Sequence, residues 1–375
     1  MIRLDDARQA SVDRYLAGPV VDARLEMRSL LARRVLGRFT PTAGKIQWDI
    51  TARRGALDVD VPSAQDVLTD AHPLAAQGQV LEAWWTWPVI GVSVPCGWWR
   101  IVEPERLSGT MWRVAATPDG PTRLDLARWW EPAERSVSGS LASQLGAILS
   151  AADVQWSPAE DFTERAAAAT ECKPGDTLLS TLESVLGQAA SALRPDRYSR
   201  GVVVGADPGA RQQVDHTWSD EQSPITSITG TPALNVIPNR VTVLCEREDG
   251  SGKRTVTGHS EALFAGPRRW DGPYGRVPDV VRLDEPVPAA ELRAQAIRLL
   301  RRHQEEASSV EVVMRADPRV EVGDVARIVS SSDGTDCTAR VTSVSLDAAT
   351  GLGTVECAAI SGTVAGVPAN HLDNQ

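Results

Sequence analysis

The 375-residue chain has few of the residues that usually announce chemistry. Its five histidines are His72, His216, His259, His303 and His371, and no two stand four apart, so no metalloprotease helix is encoded. Five cysteines, Cys96, Cys172, Cys245, Cys337 and Cys357, are scattered singly. Lacking a C-x-x-C pair or zinc spacing, they offer no metal or redox motif, and an odd count in a long chain is no disulfide framework. Reduced, buried thiols are the expectation. Lysine is nearly absent: Lys45, Lys173 and Lys253 are the only ones among 39 basic residues, against 49 acidic ones and a net charge of -10. That balance excludes a protein that grips nucleic acid through its phosphates. The start, "MIRLDDARQA", has no apolar h-region, and no apolar run approaches a membrane span. A soluble protein made in a cytoplasm, with no membrane segment, is expected.

Two local features tempt a catalytic reading and fail. "GSGKRT" resembles the end of a phosphate loop, but Arg247 stands where the first Gly is needed and Arg254 follows Lys253. Its setting, a hairpin tip at Asp249-Gly250-Ser251-Gly252, also lacks the helix N-terminus that would hold a phosphate. Cys172 lies beside a helix start, which can lower a thiol pKa, yet no His is placed by sequence to serve it. "SVSGSLAS" does not follow a buried parallel strand, so no nucleophile elbow is expected. No catalytic, cofactor-binding or metal-binding residue is assigned.

What is present is ordinary globular composition, 42% hydrophobic and 23% charged, at a length that implies two or three domains. Residues 20–62 alternate loosely between apolar and polar. From Val80 the alternation sharpens: in "VLEAWWTW" Leu81, Ala83, Trp85 and Trp87 share one face, Glu82, Trp84 and Thr86 the other. "VIGVSV" (89–94), "WWRIV" (98–102), "TMWRVAA" (110–116) and "TRLDLARWW" (122–130) continue as short strands with turn residues between several of them, the pattern of an antiparallel sandwich or barrel.

The period then changes to about 3.6. "SGSLASQLGAILSAAD" sets Leu141, Leu145, Ile148 and Leu149 on one stripe, with Ser138 or Ser140 as N-cap. "GDTLLSTLESVLGQAASALRP" predicts a longer helix from an Asp176 cap to Pro195, its stripe ending at Leu193. A strand, "RGVVVG" (200–205), and a Pro-punctuated stretch, "SPITSITGTPALNVIPNRVTVL" (223–244), lead to a hairpin over 239–261. A helix over 289–306 follows, with Leu292, Ala296, Leu299, Leu300 and His303 on its apolar side, and then more strands to about Ile360.

Twelve tryptophans are unusual beside three Phe and three Tyr, and eight of them lie between Trp84 and Trp130. They can form a sugar-stacking platform, or a barrel wall with a subunit interface; the enrichment of indole at buried contacts favours the second. Alternation puts Trp98 and Trp99 on opposite faces. Alanine at either is expected to disturb folding or assembly without altering sugar binding.

The order of these weakly specific motifs carries a resemblance. "DEQSPITSITGTPALNVIPNRVTVL" resembles the region of phage tail hub, or baseplate hub, proteins where a helical insertion ends and a second tube-like barrel begins, with Asn239-Arg240-Val241-Thr242-Val243 as its first strand. "ELRAQAIRLLRRHQEEASSVEVVMRADPRVEVGDVARI" is similar to the family's crossover helix, strand, turn and strand, and "RVTSVSLDAATGLGTVECAAI" to its closing hairpin. "GDTLLSTLESVLGQAASALRPDRYSRGVVV" looks like the insertion helix and its short strand. The resemblance covers about residues 135–360.

It implies an α+β, mainly β fold of two tail-tube-like antiparallel barrels. The first spans 1–134, an inserted α/β helical domain 135–235, the second barrel with its crossover helix 236–361, and a disordered tail 362–375. The implied protein is a non-enzymatic structural component of the virion, without cofactors, assembled in the host cytoplasm. It forms a homotrimer whose six barrels make a pseudo-hexameric ring. That ring joins the distal tail or tail-tube protein to a central fibre or spike and meets the C-terminus of the tape measure protein. DNA passes through its acidic channel without specific binding. A receptor- or carbohydrate-binding minor tail protein with exposed tryptophans is the alternative, and a tail-associated cell-wall hydrolase a weaker one.

Overall fold

The structure is a computed structural model that describes residues 5–17, 23–31, 34–49, 55–63, 72–129, 135–189, 191–206, 213–220, 225–232, 237–248, 254–264, 268–283, 289–305 and 308–363. The chain divides into two units. The first comprises Met1–Arg211, Met314–Val322 and Ser343–Thr354; the second comprises Gln212–Val313, Gly323–Thr342 and Val355–Gln375.

The chain opens with α1 (Asp6–Ala17), β1 (Arg24–Leu31), β2 (Arg34–Phe39), β3 (Ala43–Asp49) and β4 (Ala56–Pro62). Next come β5 (Val80–Trp87), β6 (Val92–Ser108), β7 (Met111–Pro118) and α2 (Asp119–Leu126). Then follow β8 (Arg135–Val137), α3 (Leu141–Ala151), β9 (Trp156–Pro158), β10 (Thr170–Cys172), α4 (Leu178–Gln188), β11 (Ser191–Pro195) and β12 (Val202–Ala206). The remainder is β13 (His216–Ser219), β14 (Ile225–Pro232), β15 (Arg240–Glu248), β16 (Arg254–Ala262), β17 (Pro278–Leu283), α5 (Ala289–Glu305), β18 (Ser308–Arg315), β19 (Val325–Ser330), β20 (Thr335–Asp347) and β21 (Leu352–Thr363).

In the first unit the main strand order is β20-β3-β4-β7-β6-β5-β1-β2, antiparallel at every step. The alternation read from sequence is what makes these strands: Leu57, Val59 and Val61 of β4, and Leu81, Ala83, Trp85 and Trp87 of β5, are buried on one face. A second core holds Leu141, Leu145, Ile148 and Leu149 of α3 against Leu178, Leu182, Val185 and Leu186 of α4, together with Val202 and Val204 of β12. Ser140 caps α3 by accepting from the Ser143 N–H at 3.3 Å. Gly120 of α2 lies so close to Gly201 that an added Cβ would stand 2.5 Å from the Gly201 carbonyl oxygen, so this approach requires glycine.

In the second unit β14, β18, β21 and β20 follow one another, and β19 joins β20 to a parallel β13. A separate sheet, β16-β15-β17, carries α5 against Val241, Val243 and Cys245 through Leu292, Ala296 and Leu300.

Several expectations need correction. The two tube-like barrels are not there: the sheets are open among the described residues, with β2 hydrogen-bonded to β1 alone. The fold is α+β with mostly antiparallel sheets, and the expected second barrel is divided between the β16-β15-β17 sheet and the strands β18 to β21. Alternation records that a strand has two faces, whereas closure depends on which distant strands pair. Residues 122–129 are not a strand; α2 covers Asp119–Leu126, and Trp130 lies outside the described residues. The helix expected to run to Pro195 ends at Gln188, is capped by Thr177 rather than Asp176, and hands Leu193 to β11. Segments 89–94 and 98–102 share the single strand β6 from Val92 onward, and the Pro-punctuated stretch contains β14. The Asp249–Gly252 tip and residues 364–375 lie outside the described residues; β21 itself runs to Thr363.

Candidate functional site

The groups that could carry catalysis are engaged structurally. The His72 Nδ1 accepts the Leu74 N–H at 3.0 Å, and its Nε2 lies 3.1 Å from the Ser63 Oγ. The ring, when neutral, therefore carries its proton on Nε2 and donates to the serine, the reverse of what a general base does. Only the fold shows this pair; no local pattern marks residues 63 and 72 as neighbours. His216 lies 2.8 Å from Asp324, whose carboxylate is fully buried. Burial is the largest single influence and pushes that carboxyl up, but the hydrogen bond and charge of His216, together with other positive charge nearby, outweigh it, and the group sits well below its ordinary 3.8. His259 meets Glu261 at 2.6 Å, and His303 meets Asp279 at 2.9 Å, tying α5 to β17. His371 lies outside the described residues. Among the described residues no group of three or more His, Cys, Asp or Glu could hold a metal ion.

All five thiols are buried. Burial pushes Cys96 up to about 12 and Cys337 up to about 11, and raises Cys357 further. Since only a thiolate attacks, these are inert groups. A thiol reagent at pH 7.5 should label none of the five in the native protein and all of them in denaturant; rapid native labelling of Cys172 would contradict this.

The tryptophan-rich strands form a distinctive surface. Trp85, Trp87, Trp99 and Trp112 are buried on the inner face, and Trp48 leans on Trp99 at 5.9 Å between centroids. Trp84 and Trp98 are half-buried on the other face, as alternation predicted for the 98/99 pair. Pairing registers align Arg38 of β2, Arg28 of β1, Glu82 of β5 and Trp98 of β6 in a row across four strands. Arg28 binds Glu82 at 2.8 Å and lies 4.1 Å over the Trp84 ring. Burial raises the Glu82 carboxyl above its ordinary value, with Arg28 acting in the opposite direction. This row is chemically a polar, aromatic contact surface with no nucleophile in it.

No protein-family model matches the sequence, and no curated protein does. Solved structures match its fold. The 43 kDa tail protein of prophage MuSo2 from Shewanella oneidensis has a TM-score of 0.64 at 13% identity, over 88% of this chain and 98% of that one. A tail protein from Neisseria meningitidis MC58 gives 0.63 at 13% identity, over 89% and 96%. The prophage tail protein gp18 from Listeria monocytogenes EGD-e gives 0.54 at 9% identity, over 92% and 95%. The fold is thus similar to that of phage tail proteins nearly from end to end. The likeness does not extend to the two closed barrels that the hub resemblance implied, since none closes here.

Proposed function

We propose that the chain is a structural protein of a phage tail tip, hub-like in role, whose copies associate around the path of the DNA. The observation that carries the reading is the end-to-end similarity of fold to tail proteins, spanning 88% of this chain and 98% of the Shewanella protein. Engaged histidines and inert thiols support a scaffold in preference to a hydrolase. The net charge of -10 suits a channel through which DNA slides without being held.

In this reading three copies form a ring between the tail tube, or a distal tail protein, and a central fibre or spike, with the tape measure protein ending nearby. The imitation of a hexagon by paired barrels falls with the barrels, so a threefold ring must meet its neighbours through its open sheets. Purified protein examined by mass photometry and negative stain should give rings of three chain masses with a central hole. A monomer that binds glycans, or one that clears peptidoglycan on a zymogram, would overturn the reading.

The half-buried pair Trp84 and Trp98 is the one observation that favours a second reading, carbohydrate or receptor binding. Alanine at both would then abolish host adsorption by otherwise intact rings.

A further inference from the structure

Among the described residues two strand edges in the first unit are open, and they are opposite in character. The first is β2, which there pairs with β1 alone. The second is the far half of β6. Its ladder with β5 ends at Arg100, and from Val102 to Ser108 it pairs with β7 alone among the described residues. An uncovered edge presents a row of backbone donors and acceptors that another strand can complete. Both edges also expose aliphatic side chains: Val35 at 46% on β2, and Val102 at 54% and Leu107 at 39% on β6.

Their charges differ in sign. On the β6 side, registers place Glu103 opposite Ala115 and Glu105 opposite Arg113, with Asp58 and Asp60 of β4 flanking the same two β7 residues. Asp58, Asp60 and Glu105 thus surround the Arg113 guanidinium, which already binds Asp60 at 3.1 Å, and Glu103 adds a further carboxylate along the edge. On the β2 side Arg38 stands directly opposite Arg28, whose own partner is Glu82. Like charges placed opposite each other destabilise a strand pair, and Arg38 has no ion pair among the described residues. Following the registers strand by strand, Arg38, Glu103 and Glu105 all project from the same face of the sheet. Bulges at Val102 and Leu107, the missing N–H of Pro104 and the edge charges are also devices that deter pairing, so an added strand would gain hydrogen bonds only on either side of Pro104. Deterrence between identical copies would work best with one sign on both edges, and here the signs are complementary.

We propose that β2 of one copy adds to the Val102–Ser108 edge of β6 in a second copy, head to tail, with Arg38 meeting Glu103 and Glu105. Each copy offers one edge of each kind, so the contact is heterologous and can close into a ring. The inference rests on the ring reading above and specifies the surface that builds it.

Charge reversal tests it. Arg38→Glu, and separately Glu103→Arg with Glu105→Arg, should each raise the concentration for half-assembly about tenfold or more, since like charges facing each other across an interface cost over 1 kcal/mol. All three substitutions in one chain should restore assembly toward wild type. The positions are exposed, so circular dichroism should show the wild-type fold in every variant, with at most a small drop in melting temperature where Glu105→Arg faces Arg113. If wild type forms rings and the reversals leave their mass and stability unchanged, this interface is wrong and the ring reading stands. If wild type remains monomeric at tens of micromolar, both fall.

Discussion

Asp119→Ala should lower the stability of the protein by about 3 kcal/mol, the lower end of the cost of breaking a buried ion pair. Asp119 opens α2, and its carboxylate is fully buried. It accepts from Arg100 of β6 at 2.9 Å through one oxygen and from Arg200, just before β12, at 2.9 Å through the other. One acidic group thus joins a helix, the main sheet and the turn that feeds the small β11-β12-β9 sheet. Removing it leaves two guanidinium groups facing each other without compensation; their side chains are 22% and 30% exposed, which places the cost at the lower end of the range. Asp119→Asn keeps the shape and loses the charge, so it should recover only part of the loss. Urea unfolding followed by tryptophan fluorescence measures both, and a change within about 0.5 kcal/mol for alanine would mean that the cluster adds nothing beyond surface pairs.

Trp99→Ala is the second large effect, at about 3–5 kcal/mol, the usual cost of deleting a buried large aromatic. The indole is 1% exposed and donates its N–H to the Cys96 carbonyl at 2.9 Å. Trp48 packs against it, and Arg197 lies 4.2 Å over the Trp48 ring, so the cavity would open beneath a stacked pair. Trp98→Ala, one residue away on the opposite face, should cost about 1 kcal/mol or less because its ring is only partly buried. Equal losses at the two positions would contradict the assignment of faces.

Those adjacent tryptophans mark how far the sequence can be read. The alternation in 80–87, the α3 stripe with its Ser140 cap, and the α5 face are local patterns, and each appears in the structure where it was expected. The misreadings share a cause. In "TRLDLARWW" Leu124 and Leu126 alternate as in a strand, but both belong to α2, Leu124 on its buried side and Leu126 64% exposed. The second leucine is a solvent-facing residue that imitated a period of two. Leu193 fits the α4 stripe numerically, yet its strand pairs with Val204, a partner that no local pattern reveals. Barrel closure failed for the same reason, being decided by strands far apart in the chain.

The outer row of Arg38, Arg28, Glu82 and Trp98 was half legible. Alternation gave the face of each tryptophan, but the alignment of four strands exists only once their registers are fixed. The complementary edges were not legible at all. An edge is defined by the strand that is missing beside it, and sequence does not state adjacency.

The most direct test of the structural role is a reconstruction of the tail tip of the particle that carries this chain. Three copies are expected in a closed ring at the end of the tail tube, with the DNA path through the middle and β2 of each copy against β6 of the next. Density that places the chain in peripheral fibres, or as an isolated subunit away from the channel, would contradict it.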